Sequence, residues 1–474
     1  MSFYFKNDLD LASIQSSKYF EQLLREEIIS RPIKINSNIN DFKQSLIIEV
    51  LDKMHAEATF INSIKCLAQM VYLNPNQVLT FIKDDDFNYI MIGLRNPETN
   101  LDSIIILYYI TQCDFLLLHF YNFIEKNEES FFNTIKAILK NSNSEKTQCA
   151  AILFLQSLST LKEARPLLIK YEIFLVLNKL ANKNDDVDYC ISFFYCYVAD
   201  FSFGEYTQDF FDSIFPLLYN FCQHKNLDII PFPLKSLRLL ISSSPLPFEA
   251  IMSFSMINIF VKYINLLNYP KIQQQAIDIL NSCISYQDFP VELIFTLNII
   301  ESIFNSLQSN DESIISSSIK SFDKIFKKCG PANLPKAVSI CSQYEFLNYF
   351  SSQPYEEKVN VIDLFDILIQ YSPSENAHFL CSEKNIEFLL DILLSSDYDY
   401  DITSKVARIF DILISHFGNN QNFISFFLPL IEDSGCIDFL NHNLEEMTTQ
   451  TQCCDSIIVF LKNVHILEQS FDVR

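Results

Sequence analysis

The most regular feature of the chain is an apolar helical pattern that recurs about every 43 residues. The hexamers SFDKIF, LFDILI and IFDILI place Phe322, Phe365 and Phe410 at the same point of a helix. Similar intervals along the chain lead to seven further apolar helices, whose equivalent residues are Leu67, Leu107, Leu155, Phe194, Leu237, Leu280 and Val459. We call these ten residues the anchors. A period of this length predicts a unit of two or three helices that is repeated along the chain.

The column three residues before each anchor tests this phase. Eight of its ten residues are Ile or Leu, and the exceptions, Ala407 and Ser456, belong to the last two repeats, where a capping repeat can be atypical. The columns four before, three after and four after the anchor are also mostly apolar or small. On a helix these columns share one face, so we predict that this face is buried.

Two other columns, two residues before and one residue after the anchor, have a more polar composition. Because they are three residues apart, we predict that they lie together on the opposite face of the same helix, directed away from the core. Their charged and aromatic members are the candidate partner-binding residues: Tyr108, Tyr195, Lys235, Arg238, Asp278, Asn281, Lys320, Asp323, Asp363, Asp366, Arg408 and Asp411.

The segments between successive anchors predict the rest of the repeat. Between Leu67 and Leu107, NPNQVLTFIKDDD precedes FNYIMIGL and the polar turn NPETN, which indicates a short first helix, a second helix and then the long third helix that carries the anchor. Residues 41–474 are therefore predicted to form one helical solenoid. Residues 1–40 contain the amphipathic stretch LDLASIQSSKYFEQLLREEII and are predicted to be a helical cap or a docking segment.

A unit of about 42 residues whose third helix is the most regular resembles the armadillo repeat, within the wider armadillo/HEAT-like class. This resemblance implies an all-α fold, a right-handed superhelical solenoid of about ten three-helix repeats. It also implies that the third helices line a concave groove in which peptides bind. The importin-alpha adaptors of this class hold basic peptides on Trp and Asn ladders, whereas this chain has no Trp and only Asn281 in the two outward columns.

The composition disfavours catalysis and cofactor binding. The chain has 5 glycines, none close enough for a phosphate-binding loop, and its 7 histidines stand apart from one another. Catalytic loops and nucleophile elbows depend on glycine, and metal sites need clustered ligands. The 13 cysteines form no CxxC pair, which is typical of buried thiols in a reducing compartment. We therefore expect a protein without enzymatic activity, cofactor or metal.

The charge limits the choice of partner. A formal net charge of -23 argues against nucleic acid, since phosphate binding requires basic surface. No stretch is apolar enough for a membrane span, and the acidic N-terminus MSFYFKNDLD is unlike a signal peptide. We expect a monomer in the cytoplasm, with the nucleus as the alternative, that binds a protein or peptide for which basic residues are one option.

Two interpretations of the charged columns stay open. In the first, Lys320, Asp363, Arg408 and their neighbours form a ladder of ion pairs between repeats on a solvated face. In the second, the groove binds a partner, with the acids Asp363 and Asp366 free to receive a basic side chain and with Tyr108 or Tyr195 as apolar anchors. The leading hypothesis is a non-catalytic interaction scaffold or adaptor. Its rivals are a regulatory solenoid that wraps a folded chaperone ATPase or phosphatase, and a divergent nuclear transport adaptor.

Overall fold

A computed structural model describes residues 42–142, 144–199, 208–243, 246–344, 355–372, 377–396, 399–446 and 451–472. The predicted cap or docking segment, residues 1–40, lies outside these ranges. The chain divides into two compact units, Met1–Ala250 and Ile251–Arg474, here unit 1 and unit 2. Within the described ranges every regular element is helical, so the all-α prediction is confirmed.

The described helices of unit 1 have the following bounds: α1 (Gln44–Met54), α2 (Phe60–Leu73), α3 (Pro75–Val78), α4 (Asp86–Arg95), α5 (Asn100–Thr111), α6 (Asp114–Lys126), α7 (Glu128–Asn141), α8 (Glu145–Leu158), α9 (Arg165–Lys170), α10 (Ile173–Leu180), α11 (Asp185–Ala199), α12 (Gln208–Phe221) and α13 (Pro231–Ser243). The next helix, α14 (Leu246–Ser253), contains the division between the units.

Unit 2 continues the series in the part of the chain that can be described: α15 (Ile257–Ile264), α16 (Pro270–Ile284), α17 (Glu292–Thr296), α18 (Ile299–Ser306), α19 (Glu312–Cys341), α20 (Tyr355–Tyr371), α21 (Glu383–Leu394), α22 (Tyr400–Phe417), α23 (Gln421–Asp433), α24 (Cys436–Glu446) and α25 (Thr451–Asp472). Helix α19 is broken at Gly330, whose φ of 59° and ψ of 179° are not helical. None of the described helices is long and apolar enough to cross a membrane.

Polar turn residues begin many of these helices, as the sequence breaks suggest. The side chain of Ser144 accepts a hydrogen bond from the backbone N–H of Thr147 at the start of α8. Asp399 does the same for Asp401 and Ile402 at the start of α22. Such caps satisfy backbone donors that the first helical turn leaves unpaired, so the Ser, Asn and Asp clusters between apolar runs mark helix starts.

The helices that carry the anchors form the centre of each unit. We call them the anchor helices: α2, α5, α8, α11 and α13 in unit 1, and α16, α19, α20, α22 and α25 in unit 2. Within each unit every anchor helix packs against the next one in this order. In unit 1 a second row, α4, α7, α10 and α12, also packs in sequence, and α4 and α7 pack on α5 and α8. In unit 2, α15 and α18 pack on α16 and α19 and on each other. Both units are therefore layered, repeat-like helical stacks.

Nine of the ten anchors are buried, so the predicted phase holds from Leu67 to Phe410. The tenth assignment is wrong, because Val459 is 44% exposed whereas Ile457 and Phe460 are 0% exposed. The Phe410 and Phe460 rings lie 5.6 Å apart, so Phe460 takes the anchor position in α25. The interval from Phe410 to Phe460 is 50 residues, well beyond the usual period of about 43, so the period alone could not determine the register of α25.

Candidate functional site: the polar face of unit 2

The column two residues before the anchor lies on the outer side of the anchor helices in unit 2. Lys320, Asp363 and Arg408 are exposed and Asp278 is half-buried. These positions lie about 160° around the helix from the anchor, and so does the column two residues after it. That second column contains Ser282, Lys324, Ile367 and Ile412, which are half-buried. We call the surface formed by these two columns, together with the exposed side of α25, the polar face.

The column one residue after the anchor does not belong to this face, which corrects the prediction that the two columns point outward together. Asn281 and Asp366 are buried, and Asp323 and Asp411 are half-buried. The physical reason is that this column lies only about 100° from the anchor. At that angle a side chain enters the contact between one anchor helix and the next.

Each member of this column bonds across that contact. The side-chain amide of Asn281 donates to the carbonyl oxygen of Ser317 over 3.2 Å, and the Tyr371 hydroxyl donates to Asp323 over 3.2 Å. Further along, Arg408 donates to Asp366, and the amide of Asn463 donates to Asp411. The bonds therefore run between α16 and α19, α19 and α20, α20 and α22, and α22 and α25.

The acids Asp363 and Asp366, predicted to be free for a partner, are both paired. Asp363 lies 3.0 Å from Nζ of Lys405, which also lies 2.8 Å from Asp401. Burial acts to lower the pKa of Lys405, but the hydrogen bonds with Asp401 and Asp363 outweigh this effect and raise that pKa. Ion pairs between repeats, the first of the two interpretations, therefore hold at the contact between α20 and α22. Lys320, which that interpretation also included, has no ion pair in the described part of the chain.

Burial has a further effect on Asp366. Oδ2 of this carboxylate accepts a 2.8 Å hydrogen bond from Gln370 and one from Arg408, while Oδ1 has no hydrogen-bond partner. Burial raises the pKa of the Asp366 carboxyl, and the hydrogen bond from Gln370 and the charge of Arg408 oppose that rise. Asp366 is therefore a structural group held between helices and is not a contact for a partner.

Helices α16 and α19 are joined by hydrogen bonds of Asp278 and Lys324. Oδ1 of Asp278 accepts hydrogen bonds from Gln274 and from the Ser317 hydroxyl, both at 3.2 Å. Lys324 donates to the carbonyl oxygen of Asn281 over 3.0 Å, and burial lowers its pKa. Lys320 is exposed.

The candidate partner-binding residues in unit 1 are buried or half-buried. Tyr108 and Tyr195 are 3% and 2% exposed, so the prediction that they are apolar contacts for a partner is wrong. The Tyr195 hydroxyl donates to Oδ1 of Asn178 on α10 over 2.7 Å, which makes it a core residue between α10 and α11. Lys235 and Arg238 on α13 are half-buried.

The sequence columns missed several residues that belong to the polar face or border it. Lys405, Gln370 and Ser317 lie five residues before or after an anchor, and Ile458, Val459, Lys462 and Ile466 lie on α25. A helical wheel places positions five residues from the anchor about 140° away from it, which is within the outer face. That angular test could have found Lys405, Gln370 and Ser317. The residues of α25 were missed because its register was assigned from Val459 and not from Phe460.

The comparisons with known proteins reach the fold only. No family model matches the sequence, and the search of curated proteins found no relative. The crystal structure of an engineered protein from a structural genomics consortium is similar, with a TM-score of 0.63 at 14% identity, and the match covers 88% of this chain and 98% of that one. A second structure comes from work on a phosphorylation switch that controls the interaction between cadherin and beta-catenin. It has a TM-score of 0.49 at 12% identity, and the match covers 89% of this chain and 69% of that one. The likeness to the engineered protein supports an all-helical, repeat-like fold.

Proposed function

We propose that the chain is a non-catalytic protein-interaction scaffold built as a right-handed solenoid of about ten armadillo-like three-helix repeats, and that a protein or peptide partner binds the polar face. The observation that carries this proposal is the continuity of that face over consecutive anchor helices of unit 2. Exposed groups such as Lys320 alternate on it with half-buried apolar side chains such as Ile412. Apolar contacts framed by polar groups are typical of protein interfaces.

The bonds beneath the face support this role because they hold it in shape. Asn281, Asp323, Asp366 and Asp411 each join two neighbouring anchor helices. A surface whose side chains are fixed before binding loses less conformational entropy when a partner arrives. The residues bonded across the helix contacts therefore position the face, and the exposed column provides the contacts.

The test is affinity capture of the intact chain, with mass spectrometry, compared with the double variant Lys320→Glu and Asp363→Lys. Both side chains are exposed, so helical content measured by circular dichroism should not change. The matched control is Lys384→Glu and Glu387→Lys on α21, two exposed positions that belong to another helix. We expect the main captured protein to be lost with the first variant and kept with the second. Capture that is unchanged in both would favour a solenoid that binds through its edges.

A further inference from the structure

The acids in the middle of the polar face are all engaged. Asp278, Asp323, Asp363, Asp366 and Asp411 each have a hydrogen bond or an ion pair with a neighbouring side chain. These carboxylates are therefore already paired within the chain and attract a cationic partner less than free acids would. This holds although the whole chain carries a formal net charge of -23.

Two lysines on the same face are in the opposite situation. Lys320 on α19 and Lys462 on α25 are exposed, and within the described ranges neither side chain has an ion pair or a hydrogen bond. Glu312 and Asp455 on these helices are also exposed and unpaired in those ranges. Each acid lies about two turns, or roughly 11 Å, nearer the helix N-terminus than the lysine. Glu312 is in the first turn of α19, where the helix dipole stabilises a negative charge. The unpaired charges nearer the middle of these two helices are therefore positive.

Exposed apolar side chains lie on both sides of Lys462 along α25, and His465, which pairs with Glu468, is its remaining neighbour on the helix surface. Ile458, Val459 and Ile466 on α25 are 37%, 44% and 63% exposed. Positions three and four residues apart are neighbours on a helix surface, so Ile458 and Ile466 flank Lys462 on its two sides. The half-buried Ile412 on α22 follows Asp411, whose carboxylate accepts the hydrogen bond from Asn463 on α25.

We propose that the partner segment bound by this end of the polar face is acidic and apolar, with a carboxylate for Lys462 and apolar side chains for Ile458, Val459 and Ile466. The inference rests on the proposed function and reverses the sign of partner charge that the acidic composition suggested. Charge complementarity carries it: a basic segment would meet an unpaired lysine among apolar side chains and would be repelled. A segment with a second carboxylate further along would reach Lys320.

The experiment is selection from a phage-displayed library of random 16-residue peptides against the intact, immobilised chain. We expect the enriched peptides to combine Asp or Glu with Leu, Ile or Phe. Synthetic copies of them should bind Lys462→Glu at least about tenfold more weakly than the parent chain, since one charge reversal at a contact changes affinity by this order. They should bind Ile466→Asp more weakly as well, and the control Lys384→Glu should bind them as the parent chain does.

Four outcomes would overturn the inference: no enrichment, enrichment of basic peptides, equal binding of the acidic peptides by Lys462→Glu, or a chain dimer that Ile466→Asp dissociates, which would make a second copy the occupant. Two of these, enrichment of basic peptides and equal binding of the acidic peptides by Lys462→Glu, leave the proposed function standing. Basic peptides whose binding is lost in the Lys320→Glu and Asp363→Lys variant would still place a partner on the polar face. Failure of every face variant to affect either peptides or captured proteins would remove both proposals.

Discussion

Arg408 on α22 donates a hydrogen bond to Oδ2 of Asp366 on α20, and the carboxylate it contacts is buried between the two helices. Since the guanidinium is the charged partner of a desolvated acid, its removal leaves the acid costly to ionise. Arg408 itself is exposed, so its truncation opens no cavity in the core. This pair is therefore a sensitive reporter of how the anchor helices of unit 2 are joined.

We expect Arg408→Ala to lower the free energy of unfolding by about 1–3 kcal/mol at pH 7, and by less at pH 4.5. Burial already raises the pKa of Asp366, and losing Arg408 raises it further. A group whose pKa is higher in the folded state binds its proton more tightly there. Its contribution to stability therefore increases as the pH falls through the folded pKa. Urea unfolding at the two pH values measures the effect.

The exposed pair on the same two helices provides the comparison. Lys405→Ala removes the partner of Asp363, whose side chain is 51% exposed, and should cost only about 0–1 kcal/mol because water screens the pair. An equal cost for both variants, or a cost of Arg408→Ala that does not depend on pH, would contradict the assignment of Asp366 as a buried structural acid.

The register of α25 gives a second prediction. Phe460→Ala should lower the free energy of unfolding by about 3–5 kcal/mol, because the ring is buried against Phe410 and its loss leaves a cavity. Val459→Ala should change it by less than about 0.5 kcal/mol, since the side chain is exposed. Thermal unfolding of the two variants measures this difference. The opposite order would restore Val459 as the anchor.

Burial within each helix could be predicted from the sequence, whereas the contacts between helices could not. Burial on one helix follows from spacing along that helix, so Phe322, Phe365 and Phe410 could be aligned and assigned to the core. The partner of Asp366 could not be assigned in this way, because Arg408 belongs to another helix and the turns between helices determine which residues meet. The sign of the unpaired charge on the polar face could not be predicted for the same reason. The composition counts Asp363 as a free acid, whereas in the fold Asp363 is paired with Lys405.

Burial of the thiols gives a third prediction. Burial raises the pKa of Cys283 and of Cys436 to about 12, and only the thiolate reacts with alkylating reagents. We expect both to stay unmodified by iodoacetamide at pH 7.5 in the native chain and to react in 8 M urea. Cys113 is only half-buried and is the internal comparison. Peptide mass spectrometry measures each site, and modification of Cys283 as fast as that of Cys113 would contradict its burial.

Substitution of Tyr195 is predicted to lower stability and to leave partner binding unchanged. Tyr195→Phe removes the hydroxyl that donates to Asn178 and should cost about 1 kcal/mol of unfolding free energy. Because the residue lies in the core of unit 1, capture of a partner by the folded chain should not change. Equilibrium unfolding and affinity capture of the same variant test both statements. Loss of the partner by a chain of normal helical content would return Tyr195 to the list of contacts.

Gly330 determines where the anchor part of α19 ends. Its φ of 59° and ψ of 179° lie in a region that is essentially restricted to glycine, and the next residue, Pro331, suits the first position of a new helix. A Cβ at Gly330 would meet no atom within 4 Å, so any cost of Gly330→Ala comes from the backbone and not from a clash. We expect Gly330→Ala to lower the free energy of unfolding by about 1–3 kcal/mol, measured by urea unfolding.

Gly418→Ala is the comparison. Its backbone is ordinary, with a φ of −60°, but the added Cβ would be crowded, because it would lie 2.6 Å from the carbonyl oxygen of Ile414. If Gly330→Ala proves neutral, the helix does not need this turn, and the placement of Lys320 on the polar face does not depend on it.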